Sequence, residues 1–304
     1  MTALEEKFGR YRKPSSDNEK DKQDRAERMV RGAVGKWADE NDIDVRYLQK
    51  GSYANNTNVR LDSDVDVAVI HKGFHYYDDS DLLEADKVNG SGVSIKNFGG
   101  STFRASLGAF LKTHFGSACD NSGKTAIELA ENAGRVKADI VPSFEYRKYY
   151  YDSAWNVQYH LGTKVFRLDG TSVVNYPEQQ LANGREKNNQ TGGRYKDAVR
   201  ILKNVENDLV NAGLIEALPS YFMECLMYIV PNLYFGDKGS TPLVTDFCNA
   251  TAYVFGKVKD DETGEGLFEP NGIKPLFSSS QPWTLADARG LILQAWSYYS
   301  LGEA

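Results

Sequence analysis

Gly51-Ser52-Tyr53, followed by Leu61-Asp62-Ser63-Asp64-Val65-Asp66-Val67-Ala68-Val69-Ile70, decides how this chain is read. From Val65 onward the run is apolar and β-branched, and a strand of that kind sends alternate side chains to opposite faces. Val65, Val67 and Val69 therefore share one face, and Asp64 and Asp66 share the other. Two carboxylates this close repel each other, and on a half-buried strand neither is well solvated. A divalent cation relieves both penalties, and hard Mg²⁺ favours oxygen ligands and substrate phosphates. The pair predicts a metal site for phosphoryl chemistry.

A third acid extends the pattern. Arg135 to Pro142 alternates like a strand, is expected to end at its proline, and carries Asp139 among apolar neighbours. Gly51 and Ser52 are small enough at a strand-to-helix turn for backbone N–H groups and a hydroxyl to approach phosphate closely. Three carboxylates on two Mg²⁺ ions (or Mn²⁺ in their place) let one ion activate a hydroxyl while the other holds the triphosphate and its leaving pyrophosphate. Asp139 is then placed to help remove the hydroxyl proton. Blander readings stand beside these. Gly-Ser alone is an ordinary turn, Asp64 and Asp66 alone are solvated strand acids, and Asp139 alone is a strand-end acid bonding a backbone N–H.

The rest of the chain supports an α+β fold. Its 304 residues suit one large domain or two lobes, and 41% hydrophobic content with 12% aromatics fills a packed core. Residues 17–41 read as a long amphipathic helix, with strands expected at Val45 to Leu48 and Asp64 to Ile70 and a helix at Phe103 to Phe115. Residues 71–100 read only weakly. Strands and a turn are expected over 145–180, a Gly/Asn-rich loop over Asn183 to Gly193, and helices beyond it, with a loop at 258–282. The expected organisation is a catalytic core at 1–182 and a helical lobe at 183–304, with the active site in the cleft between them.

A formal charge of −6 argues against broad binding of duplex nucleic acid. Cys119, Cys225 and Cys248 are far apart without metal-knuckle spacing, the pattern of a reduced compartment. The charged start at Met1 to Lys7 is no secretory leader, and the apolar stretch Ser220 to Val230 carries Glu224 and is too short to span a membrane. A soluble, cytoplasmic monomer is expected, without a membrane partner. None of the four histidines falls in a metal pattern, and His71 and His75 read as incidental.

Gly51-Ser52 with Asp64-x-Asp66 and a distant third Asp resembles the DNA polymerase β-like nucleotidyltransferases. Five further runs narrow the likeness: Gly51 to Val59, Ser63 to Val67, Val174-Asn175-Tyr176-Pro177, Asn183-Gly184 with Lys187-Asn188, and Pro219 to Leu226. Together they are similar to the bacterial cGAS/DncV-like nucleotidyltransferases (CD-NTases), and within them to clade E, over roughly residues 20–235. The resemblance implies a polymerase β-like lobe with a mixed sheet and a C-terminal helical lobe. It also implies synthesis of a cyclic dinucleotide second messenger from nucleoside triphosphates in CBASS anti-phage defence, sensed by a separate effector protein.

The same resemblance assigns Asp64, Asp66 and Asp139 to the metals and Gly51 and Ser52 to the phosphate turn. Lys203 and Ser220 match triphosphate contacts, and Tyr221 matches the aromatic that stacks on a base. Lys196, Arg200 and Lys203 share one helical face, which supports the lysine, although a solvated stripe reads equally well for the first two. Core packing competes for Tyr221. Asn175, whose amide both donates and accepts, matches the position that pairs with uracil, so UTP and ATP are the expected substrates and cyclic UMP–AMP the favoured product. A turn-forming Asn before Tyr-Pro is its alternative. Lys50, inserted between Gln49 and Gly51, departs from many relatives. Transfer to RNA ends or a small acceptor, or a catalytically silent nucleotide-binding regulator, are the competing functions.

Overall fold

The motif strand begins by alternating in the computed structural model, where Val65 and Val67 are fully buried and Asp64 and Asp66 are not, but farther along both faces are covered, Ala68 and Ile70 being as buried as Val69. The structure describes residues 2–14, 16–59, 64–88, 99–260 and 264–303. Leu61, Asp62 and Ser63 of the motif, and part of the weakly read 71–100 stretch, lie outside them. Contacts group the chain into two units, one comprising Ser16–Tyr53 and Ser63–Glu178, the other Met1–Ser15, Ala54–Asp62 and Gln179–Ala304.

In chain order the elements begin with α1 (Ala3–Tyr11) and α2 (Asp17–Glu40), whose start is fixed by a capping box between Ser16 and Glu19. There follow β1 (Val45–Lys50), the short α3 (Gly51–Asn55), β2 (Val65–Asp78), α4 (Ser101–Phe115), β3 (Cys119–Asp120) and β4 (Ile127–Leu129). Three more strands, β5 (Ala138–Tyr151), β6 (Val157–Phe166) and β7 (Ser172–Asn175), complete the sheet unit. The described residues of the sheet run β1-β2-β5-β4-β3, with β6 pairing both β5 and β7. β2 and β5 are parallel and the remaining pairs antiparallel, so the sheet is mixed. Its buried face packs Val65, Val67, Val69 and Ile140 against Val30, Val34 and Trp37 of α2 and Phe103, Leu107 and Leu111 of α4.

Three expectations need correction. β2 runs beyond Ile70 to Asp78, past an irregularity between His71 and His75, and His71 is buried among Phe103 and Phe144. β5 does not end at Pro142. That proline falls where β4 has left the strand at Ile140 and β6 has yet to join at Phe144, so its missing N–H interrupts neither ladder. Asn183 to Gly193 is not a loop through most of its length, because α5 (Pro177–Gln190) covers it. Pro177 suits a first helical turn, and Gly184 sits inside the helix beside Asn55, where a Cβ would meet only ordinary contact at 3.5 Å.

The second unit is helical beyond α5, with α6 (Arg194–Asn211), α7 (Ser220–Tyr228), α8 (Leu243–Val258) and α9 (Leu285–Tyr298). Its core joins Val199, Leu202 and Val205 of α6 with Phe222 and Leu226 of α7, Phe247 and Val254 of α8, and Leu291 and Ile292 of α9. Phe8 of α1, which the charged start of the sequence conceals, is fully buried in the same core. No described helix is long and apolar enough to cross a membrane.

Candidate active site

Strand register assembles the acids. Asp66 on β2 lies opposite Asp139 on β5 and opposite Lys50 on β1, and Asp139 lies opposite Glu128 on β4. Side chains directly opposite one another project from the same face, so Lys50, Asp66, Asp139 and Glu128 form one row across the sheet. Asp64, just before β2, is two residues from Asp66 and joins that face. Lys137 Nζ stands 3.5 Å from Asp64 Oδ2, 3.5 Å from Asp139 Oδ1 and 2.9 Å from Glu128 Oε2.

Burial sets the electrostatics of the row. It pushes the Asp66 carboxyl up to about 6, with the Asp139 charge adding to the rise and Lys50 opposing it. Asp139 is also raised by burial, against the pull of Lys137. Burial takes the Lys50 ammonium down to about 8, opposed by Asp66. For Lys137, burial works to lower the value, yet its hydrogen bond to Glu128 and the charges of Asp139 and Asp64 carry it above the usual lysine range.

Gly51 explains why the turn and the acids belong together. Its φ is +68°, a left-handed conformation that other residues rarely adopt, and a Cβ there would lie 2.1 Å from Asp66 Oδ2. Only glycine lets the Asp66 carboxylate rest against the turn. Gln49 and Tyr53, either side of that turn, donate hydrogen bonds to Glu27 and Asp24 of α2. Ser52 is half-buried within α3.

These residues fit a hard divalent cation by donor chemistry. Asp64, Asp66 and Asp139 supply carboxylate oxygens on one face, and the buried Asp139 Oδ1 has only the 3.5 Å ion pair with Lys137 for a partner. Among the described residues no three Asp, Glu, His or Cys side chains already converge on a metal position. Lys137 stands among the acids instead.

Lys203, Ser220 and Tyr221 belong to the helical unit. Lys203 of α6 and Glu224 of α7 are ion-paired at 3.1 Å with side chains 3% and 2% exposed. Lys203 also donates to Thr57 Oγ1 at 3.3 Å, and Glu224 accepts from Thr57 Oγ1 and, at 2.7 Å, from Asn55 Nδ2. Ser220 opens α7, and its buried hydroxyl has no partner. Lys203 and Ser220 line one pocket of about 570 Å³ with Leu218 and Met223. Tyr221 is not among its lining residues; its hydroxyl donates to Glu269 Oε2 at 3.1 Å and its ring meets Trp283 edge-on. A larger cavity of about 960 Å³, bounded by Glu5, Arg12, Arg194 and Tyr299, holds none of the expected site residues.

Asn175 ends β7, half-buried and paired with Thr163 of β6 in the sheet unit. Arg200 does not form a solvated stripe. It is buried and donates to the Asn56 carbonyl at 2.7 Å and to Asp197 Oδ1 at 2.7 Å. Sequence reasoning passed over Lys137, Glu128, Glu224 and Thr57. Lys137 was findable, since it sits two residues before Asp139 on an alternating strand. Glu224 had a signal too, as a lone carboxylate in the apolar helix Ser220–Tyr228. Nothing local marks Glu128 or Thr57.

Comparison with known proteins places the chain in a family. Residues 182–300 match the family model of the cGAS/DncV-like nucleotidyltransferase C-terminal helical domain. The chain is 36% identical, over 97% of its own length and 97% of the relative's, to a cyclic dipyrimidine nucleotide synthase CdnE of Legionella pneumophila. The structure of an Elizabethkingia meningoseptica CdnE cyclic dinucleotide synthase with GTP and Apcpp aligns at a TM-score of 0.77 and 28% identity, covering 97% of this chain and 98% of that one. A Rhodothermus marinus CdnE c-UMP-AMP synthase with Apcpp and Upnpp aligns at 0.77 and 25% identity, covering 97% and 96%. The matching helical domain and a relative 36% identical over nearly the whole length of both chains lead to one conclusion: the chain is an enzyme of the cGAS/DncV-like nucleotidyltransferase family, in the branch of the CdnE cyclic nucleotide synthases.

Proposed function

We propose that this enzyme joins two nucleoside triphosphates into a cyclic dinucleotide containing UMP, with cyclic UMP–AMP as the product. The observation that carries the reading is the Asp66–Asp139 register pair with Asp66 lodged against Gly51. A 3′-hydroxyl of one nucleotide forms a bond to the α-phosphorus of the other, whose bond to pyrophosphate breaks. The linear product then closes by the same step on its own triphosphate, releasing the second pyrophosphate. Asp139, raised by burial, takes the hydroxyl proton. Mg²⁺ or Mn²⁺, when held by Asp64, Asp66 and Asp139, supplies charge neutralisation at the phosphates.

The turn residues Gly51 and Ser52 offer backbone N–H groups and a hydroxyl to phosphate. Lys203 spends donors on Glu224 and Thr57, and an ammonium has three, so one is left for a triphosphate oxygen. The unpartnered Ser220 hydroxyl suits the same ligand. Asn175 reads the uracil edge, and Tyr221 offers its ring face to a base. The named activity of the Rhodothermus relative supports adenine as the second base, and that of the Legionella relative favours a second reading, a dipyrimidine product. The product is read by a separate effector in anti-phage defence.

Incubation with paired radiolabelled triphosphates and Mg²⁺ or Mn²⁺, then phosphatase and mass analysis, tests this. A resistant UTP-dependent product that vanishes in Asp64→Ala is expected. Products from purines alone overturn the role of Asn175, label attached to RNA favours end transfer, and release of no pyrophosphate favours a silent regulator.

A further inference from the structure

Lys137 joins carboxylates from β4, from β5 and from the residue just before β2. Its backbone carbonyl accepts the Val65 N–H at 3.1 Å, which sets its side chain opposite Asp64 on the acid face. From there Nζ reaches Asp64, Asp139 and Glu128, and the approach to Glu128, at 2.9 Å, is the shortest. Two of these three acids are the ones assigned to the divalent cation. A lysine and a divalent cation cannot both neutralise the same two oxygens at close range, because the two positive charges repel. Lysine is a point charge on a flexible stem, and this side chain is 31% exposed, so it has room to swing.

We infer that Lys137 is the resident counter-cation of the acid cluster, neutralising Asp64 and Asp139 in the ion-free enzyme and withdrawing onto Glu128 when those acids bind a divalent cation. The inference rests on the metal-site reading above. Glu128 is then the anchor that receives the lysine rather than a further ligand, in keeping with its shorter contact. The consequence for catalysis is order of loading. A cluster already holding its own cation binds a bare metal ion weakly, and the ion enters with the triphosphate, whose charge outweighs the lysine. Lys137 is thus a positioning residue that makes metal occupancy depend on nucleotide.

Binding of Mn²⁺ alone to the nucleotide-free full chain, read as the loss of free-ion paramagnetic resonance, tests this without turnover. Lys137→Met is expected to bind Mn²⁺ about tenfold more tightly at low salt, with the gain shrinking as salt rises. Lys137→Arg keeps the charge and is expected to stay near the parent, and Lys137→Gln replaces the Met variant should that one melt early. Glu128→Gln is expected to weaken Mn²⁺ binding in the parent and to do so much less in the Lys137→Met background. Affinity unchanged or lowered in both neutral Lys137 variants overturns the counter-cation. Equal effects of Glu128→Gln in both backgrounds overturn the withdrawal onto Glu128. Asp66→Asn separates the two readings: if it binds Mn²⁺ as the parent does, the metal site itself is wrong, and if binding is lost, the Lys137 variants judge the inference alone.

Discussion

Glu224 on α7 holds Lys203 on α6 at 3.1 Å, both side chains buried in the helical unit, and the same carboxylate gathers Thr57 and Asn55 from the segment after the glycine turn. One buried charge therefore fixes the candidate triphosphate lysine and the far end of the turn together. Removing either partner leaves an uncompensated buried charge, which costs about 3–5 kcal/mol. Glu224→Ala and Lys203→Met are each expected to lose that much in urea unfolding. Glu224→Leu combined with Lys203→Met is expected to recover most of it, and strictly additive losses would show that the two do not act as a pair.

The Asp66 carboxyl gives a pH signature. Its folded value, about 6, lies above the ordinary aspartate value, so the folded ion-free protein binds a proton that the unfolded chain has already released. Stability from this group is therefore present at low pH and lost as pH rises from about 4 through 6, at about 1.4 kcal/mol per pH unit within that window. Asp66→Asn is expected to melt higher than the parent at pH 7 without added metal, to show a flatter pH profile, and to be inactive. An unchanged melting temperature at pH 7 would contradict the buried, repelled carboxylate.

At Gly51 an added methyl meets both strain and Asp66. The left-handed backbone costs a non-glycine residue about 1–2 kcal/mol, and the Cβ collides with Asp66 Oδ2 at 2.1 Å. Gly51→Ala is expected to stay folded by circular dichroism, since α3 is short, yet to lose about a hundredfold in turnover from a displaced acid. Wild-type turnover in this variant would separate the turn from the acids.

As the proposed reader of the uracil edge, Asn175 is expected to bear on base choice alone. Loss of one neutral hydrogen bond is worth about 1 kcal/mol. Asn175→Ala is thus expected to lower kcat/KM for UTP several-fold with ATP little changed, and equal losses for both would mark it as a strand-end residue only.

How much of this could be read in the chain follows from range. Asp64 and Asp66 on one face, and the helical stripes of α2, α6 and α9, are consequences of local periodicity, and they appear where periodicity puts them. The pairing of Asp66 with Asp139 is long-range register, legible only as two strands with acids at matching depth. Glu128 and Thr57 are brought to their partners wholly by the tertiary fold. α5 was hidden because Gly184 and the asparagines around it have low helix propensity and read locally as loop, while the tertiary fold holds them in a helix. Lys50 read as an insertion beside the turn, whereas register makes it the neighbour of Asp66.

Pro142 has a consequence for the life of the protein before it is folded and after it is stressed. Between the last β4 pairing at Ile140 and the first β6 pairing at Phe144, one side of β5 has no strand partner; Pro142 and Ser143 are buried there in the folded protein, and a loosened sheet would open that side to a strand from another molecule. Pro142 has no N–H to offer such a visitor. The seam in the middle of the catalytic sheet carries its own stopper against aggregation.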